Sequence, residues 1–169
     1  MGILNIFYPP YARCYCCGHP RLDGMGDHLC GPCREALKSI RKKEIFFYVE
    51  SIDTVYAPYP YEDAARELIH CLKYGCVRDA AKVLGRDMAA CLDEKEFDAL
   101  VPVPLHEGRL IERGFNQAEL LARAVGEQKN IPVLSALVRL KETGQQAKLE
   151  KERRMRNMEG AFQSSRKVR

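Results

Sequence analysis

The chain has 169 residues, 46% of them hydrophobic and 30% charged, with a formal net charge of +4. These values describe an ordinary soluble globular protein, one medium domain with room for a small appendage. The mild positive charge permits a phosphate-bearing ligand or a nucleic acid without demanding either, and no apolar run approaches the ~20 residues of a membrane span.

The opening "MGILNIFYPPYARC" is apolar for only a few residues, with no basic leader and no small-residue cleavage site, so it does not read as a signal peptide. Ile6 stands where N-myristoylation would need Ser or Thr. The expectation is a cytoplasmic chain whose Ile3, Leu4, Ile6 and Phe7 pack onto the fold.

Five of the eight cysteines lie between positions 14 and 33, in "CYCCGHPRLDGMGDHLCGPC". Cys14 and Cys17 form one C-x-x-C and Cys30 and Cys33 another, the spacing of a closed four-thiolate Zn²⁺ site. Each pair predicts a tight knuckle whose backbone N–H groups point at sulfur, eased by positive φ at Gly18 and Gly31. "CGPC" also occurs as a dithiol redox motif, but there it follows a hydrophobic strand; here it follows "GMGDHL", and a second pair sits nearby. Cys16, His19 and His28 read as a bystander thiol and two surface histidines. The result is a small zinc-ribbon module over residues 1–45, with the structural metal replacing a core the module is too poor in large apolar residues to build. Arg13, Arg21, Arg34 and "KSIRKKE" suit a nucleic-acid contact patch or a solvated helix end.

Beyond residue 50 the pattern changes. "DTVYAPYPYE" alternates enough to suggest a strand or hairpin. "EDAARELIHCLKYG" sets Ala65, Leu68, Ile69 and Leu72 at helical spacing, with Gly75 as C-cap. "DAAKVLGRDMAACL" repeats the pattern with Ala81, Leu84, Met88 and Cys91, which makes Cys71 and Cys91 small core residues. "FDALVPVP" predicts a strand buried on both faces, as in a parallel sheet. A helix with Leu120, Leu121, Ala124 and Val125 on one stripe follows, then strand-like "IPVLSALVRL", a charged stretch, and "MEGAF" returning toward the sheet. Strand, helix, strand order predicts an α/β domain with a crossover connection.

Ligands of an open parallel sheet sit at the strand C-termini, against helix N-termini. That is the place of "LHEGRLIERGFNQ", a loop in which Arg109 and Arg113 offer fork-shaped donors for phosphate oxygens. Asn116 is an N-cap, and Glu119 completes a capping-box arrangement. A solvated turn with an ordinary cap is the competing description.

"LVPVPLHEGRLIERGFNQAELLARAV" closely resembles the ComF/GntX family of competence-associated, phosphoribosyltransferase-like proteins. The likeness takes in the knuckles after "YPPYARC", then "LIHCLKYG" and "LVRLKETGQQAKLEKERRMRNMEGAF", nearly the whole chain in the family's order. The resemblance implies a type I phosphoribosyltransferase-like parallel sheet flanked by helices over residues 46–169, behind the zinc ribbon. Such folds bind 5-phosphoribosyl 1-pyrophosphate (PRPP). Carried onto this chain, the phosphate-binding residues are Arg109, Arg113, Gly114, Phe115, Asn116 and Gln117, and the hood loop offers Arg139, Gln145, Gln146 and Arg153. The family's link to DNA uptake implies the competence machinery and single-stranded DNA as partners. Family members continue into an apolar strand and a pair of aspartates that orient Mg²⁺ and the ribose, whereas these residues stop at "SSRKVR". The expectation is a truncated member with an incomplete sheet that does not transfer phosphoribosyl groups, Mg²⁺ joining PRPP only in a complete chain. A non-catalytic zinc-ribbon module for single-stranded DNA, or an inactive fragment, is the alternative.

Overall fold

A computed structural model describes residues 13–21, 28–41, 52, 54–75, 77–92, 97–142 and 156–165. The chain divides into two compact units, Met1–Lys95 and Glu96–Arg169.

In the first unit the cysteine hairpin leads into α1, Gly31–Ile40. Pro32 stands in its first turn, where a missing N–H costs nothing. Helix α2, Asp63–Tyr74, buries Ala64, Ala65, Leu68 and Leu72, a single stripe at helical spacing. Helix α3, Ala80–Ala90, buries Val83 and Leu84 among the small residues Ala80, Ala81, Gly85 and Ala89. The hairpin has a partner in α2: the Cys71 thiol donates to the Tyr15 carbonyl at 2.7 Å, and Cys16 Sγ lies 3.9 Å from the Ala64 carbonyl. Asp87 of α3 is buried, 6% exposed, and its carboxylate accepts from the Tyr59 hydroxyl and pairs with Arg41 at 3.3 Å. A buried carboxylate is tolerable when so partnered, and these contacts pin the end of α1 and the 54–60 segment onto α3. Among the described residues that Tyr-rich segment forms no strand; Pro58 and Pro60 lack the N–H groups a ladder requires.

In the second unit Leu100 and Val133 form a parallel bridge, with Leu100 N–H donating to the Pro132 carbonyl at 2.8 Å and Leu134 N–H to the Leu100 carbonyl at 2.9 Å. Two helices make the crossover between them, α4 at Glu107–Arg113 and α5 at Gln117–Lys129. Ala124 and Val125 of α5 are buried, as their stripe predicts. Gly126 is the point of closest approach: a Cβ there would stand 2.6 Å from the Ile131 carbonyl. Strand β1, Leu137–Arg139, pairs antiparallel with β2, Phe162–Ser164, in the register Val138 to Gln163, so "MEGAF" does lead back to a strand.

A second correction concerns the sheet. "VPVP" is not a strand buried on both faces: Val101 is 43% and Val103 55% exposed. Pro102 and Pro104 supply no N–H, so pairing stops at Leu100. Among the described residues the one sheet is the antiparallel β1–β2 pair, and parallel pairing is confined to the Leu100–Val133 bridge.

Candidate metal centre and anion site

The sulfurs of Cys14, Cys17, Cys30 and Cys33 all lie within 4.8 Å of one another, and Cys17 and Cys30 are 3.7 Å apart. Four sulfurs at ~2.3 Å around a tetrahedral Zn²⁺ are separated by about 3.8 Å, so the cluster fits that ion. The first knuckle is closed by Cys14 N–H on the His19 carbonyl at 2.8 Å and Gly18 N–H on the Cys14 carbonyl at 2.9 Å, with Gly18 at φ 73. Gly31 does not share this conformation. It is the first residue of α1, so the second knuckle is the start of a helix with Cys30 as N-cap. The two arms are joined by Tyr15 N–H on the His28 carbonyl at 3.0 Å and by stacking of the two rings, 4.7 Å apart and 14° from parallel.

The thiols feel these surroundings differently. Burial pushes Cys14 up, but backbone hydrogen bonds from Cys17, Cys30 and Cys16 outweigh it and bring the group down to about 7. Cys17 and Cys33 are raised, by burial first; for Cys33 the adjoining thiols of Cys30, Cys17 and Cys16 add to it. N–H groups aimed at the Cys14 sulfur are the means by which a knuckle favours thiolate before any metal arrives.

The segment after "VPVP" is a short helix rather than a loop. His106 caps α4, its imidazole accepting from Gly108 N–H at 3.4 Å. Gly114 ends the helix at φ 73, its N–H on the Leu110 carbonyl at 2.7 Å, a left-handed C-cap that glycine adopts without strain. Phe115 then buries its ring and Asn116 starts α5. The Asn116 carboxamide is used at both ends: Oδ1 accepts from Ala118 N–H at 3.1 Å, and Nδ2 donates to the Val103 carbonyl at 3.0 Å. Residue Val103 was not foreseen as a partner, yet the two prolines flanking it leave its carbonyl outside any ladder. The capping box is replaced by a different pair, Glu119 turning along the helix to Arg123 Nη2 at 2.7 Å, because an ion pair four residues apart competes for the same carboxylate.

At the head of α5, Arg113 Nη1 donates to Gln117 Oε1 at 3.1 Å. Gln117 is 7% exposed, and its Nε2 has no hydrogen-bond partner among the described residues. Because Oε1 faces a guanidinium, the amide cannot be turned the other way, and Nε2 remains a donor. The structure therefore brings Arg113, Asn116 and Gln117 together, with Gly114 and Phe115 as turn and anchor. Arg109 bonds Glu112 along α4 at 2.6 Å. Of the hood residues, Arg139 lies on β1 with its guanidinium 5.6 Å from the Phe162 ring centroid, while Gln145, Gln146 and Arg153 lie outside the described residues.

No family model and no solved structure matches the chain. Curated relatives do. Competence protein F of Haemophilus influenzae is 31% identical over 153 residues, 86% of this chain and 62% of that protein. Competence protein ComFC of Bacillus subtilis is 28% identical over 144 residues, 83% of this chain and 54% of that protein. The chain thus spans 62% and 54% of these two relatives. The chain belongs to the ComF family of competence proteins.

Proposed function

We propose that the protein binds a phosphate ester of the PRPP type at the head of α5, on a type I phosphoribosyltransferase-like framework, and acts in DNA uptake. The observation that carries the binding is Arg113 held on Gln117, the first residue of a 13-residue helix. A helix N-terminus offers N–H groups without intrahelical partners and a partial positive charge. A guanidinium added beside it makes a site that favours phosphate over neutral ligands. Arg109, Gly114 and Phe115 complete the loop; Arg139, Gln145, Gln146 and Arg153 would cover the ligand, and Mg²⁺ would accompany its pyrophosphate. The parallel Leu100–Val133 bridge, with helices between its arms, supports the framework. The names of the two relatives support the role in competence. The sulfur tetrad would hold Zn²⁺ in a structural role.

Calorimetric titration of the full, zinc-loaded chain with PRPP and with inorganic pyrophosphate tests the binding. Saturable binding is expected, weakened roughly 10- to 100-fold by Arg113→Ala, the range for loss of one charged hydrogen bond. Absence of binding, or equal affinity in the folded variant, would overturn the proposal.

A further inference from the structure

Gln117 is 7% exposed, and its Nε2 has no hydrogen-bond partner among the described residues. A buried, unsatisfied donor destabilises a fold, and an apolar side chain of similar length would not carry that cost. Methionine is the near match in shape. Glutamate would also serve the fold, because a carboxylate in the first turn suits the helix dipole and would strengthen the bond from Arg113. The chain accommodates such a pair elsewhere: Asp87 is 6% exposed and pairs with Arg41 at 3.3 Å. On either side of the turn arginines do meet carboxylates, Arg109 on Glu112 at 2.6 Å and Arg123 on Glu119 at 2.7 Å. Arg113, between them in sequence, donates to the neutral Gln117 Oε1 at 3.1 Å. Stability alone does not select an amide here.

We infer that Gln117 is a positioning residue that sets the charge class of the ligand. It orients the Arg113 guanidinium without adding a negative charge beside it, so the head of α5 takes a multiply charged anion such as pyrophosphate. The inference rests on the phosphate reading of that site and supplies the reason for an amide at its centre. The acceptor oxygen holds the guanidinium against the first turn of α5, whose N–H groups have no intrahelical partners. A carboxylate in the same place would hold it equally well and cancel the charge that attracts the ligand. Methionine would keep the charge and lose the orientation. Gln117 thus acts through Arg113, and its unpaired Nε2 is the stability cost of that role.

Thermal melts without ligand and calorimetric titrations with inorganic pyrophosphate separate these roles in the full, zinc-loaded chain. Gln117→Met should melt no lower than the parent, yet bind pyrophosphate roughly 10-fold more weakly, as for loss of one hydrogen bond to a charged group. Gln117→Glu should also melt no lower and should lose at least as much affinity. In an Arg113→Ala background, Gln117→Met should weaken binding no further, because the group that it positions is gone. A Gln117→Met chain that melts lower, or that binds as the parent does, would overturn the inference. So would parental affinity in Gln117→Glu, or an equal loss from Gln117→Met with and without Arg113. A parent chain that binds no pyrophosphate would overturn the phosphate site and this inference with it, an outcome distinct from unexpected behaviour of the variants alone.

Discussion

Asn116 joins two segments through one side chain, capping α5 with its oxygen and holding the Val103 carbonyl with its nitrogen. Asn116→Ala should lower stability by about 1–2 kcal/mol, the upper part of the range for a lost N-cap. Asn116→Asp separates the two roles: a carboxylate still caps, and suits the helix dipole, but has no hydrogen to give Val103. Thermal melts should therefore place Asp between the parent and Ala. Equal losses in both variants would mean that the Val103 bond dominates. At the sulfur tetrad, Cys30→Ser should remove most of the zinc measured by elemental analysis, and tight retention would reject the assignment. Acid should act in the same direction. In the fold Cys14 titrates at about 7 rather than its ordinary 9.0. The stabilisation from its thiolate is therefore complete above the ordinary value and is lost as pH falls through about 7. Zinc occupancy should decline over that interval and below, because every ligand must shed its proton to bind.

Among the elements, α5 carries the most informative glycine. Alanine at position 126 would gain up to about 1 kcal/mol of helix propensity, yet its Cβ would meet the Ile131 carbonyl at 2.6 Å. Overpacking of about 1–3 kcal/mol should win, so Gly126→Ala is expected to melt lower than the parent; a higher melting point would show that the crossover yields easily. Helices with one apolar stripe were legible in the sequence, since Leu68 and Leu72 in α2, or Leu121 and Val125 in α5, repeat at the helical period whatever surrounds them. The knuckles were equally legible, because metal spacing is a local constraint. Two elements were not. "VPVP" is apolar enough for a buried strand, but two missing N–H groups decide against pairing, and composition outweighed that fact. Helix α4 leaves both Leu110 and Ile111 exposed, so it has no stripe to detect; only its ends, His106 and Gly114, signal it. The Glu119–Arg123 pair likewise depends on which of two partners wins a carboxylate, a contest that spacing does not settle.

At the scale of the molecule, each compact unit carries one candidate site: the sulfur tetrad within Met1–Lys95, and the head of α5 within Glu96–Arg169. In the first, the Cys71–Tyr15 hydrogen bond ties the hairpin to α2, and a metal on the tetrad would add to that hold. In the second, the crossover between Leu100 and Val133 sets Arg113 against α5. No helix among the described residues is long and apolar enough to cross a membrane. The central claim is the location of the phosphate site, and a crystal structure of the zinc-loaded chain grown with pyrophosphate tests it most directly. The account predicts phosphate oxygens within about 3 Å of the Arg113 guanidinium and of the first-turn N–H groups of α5. Pyrophosphate seated only elsewhere, or none bound at saturating concentration, would contradict it.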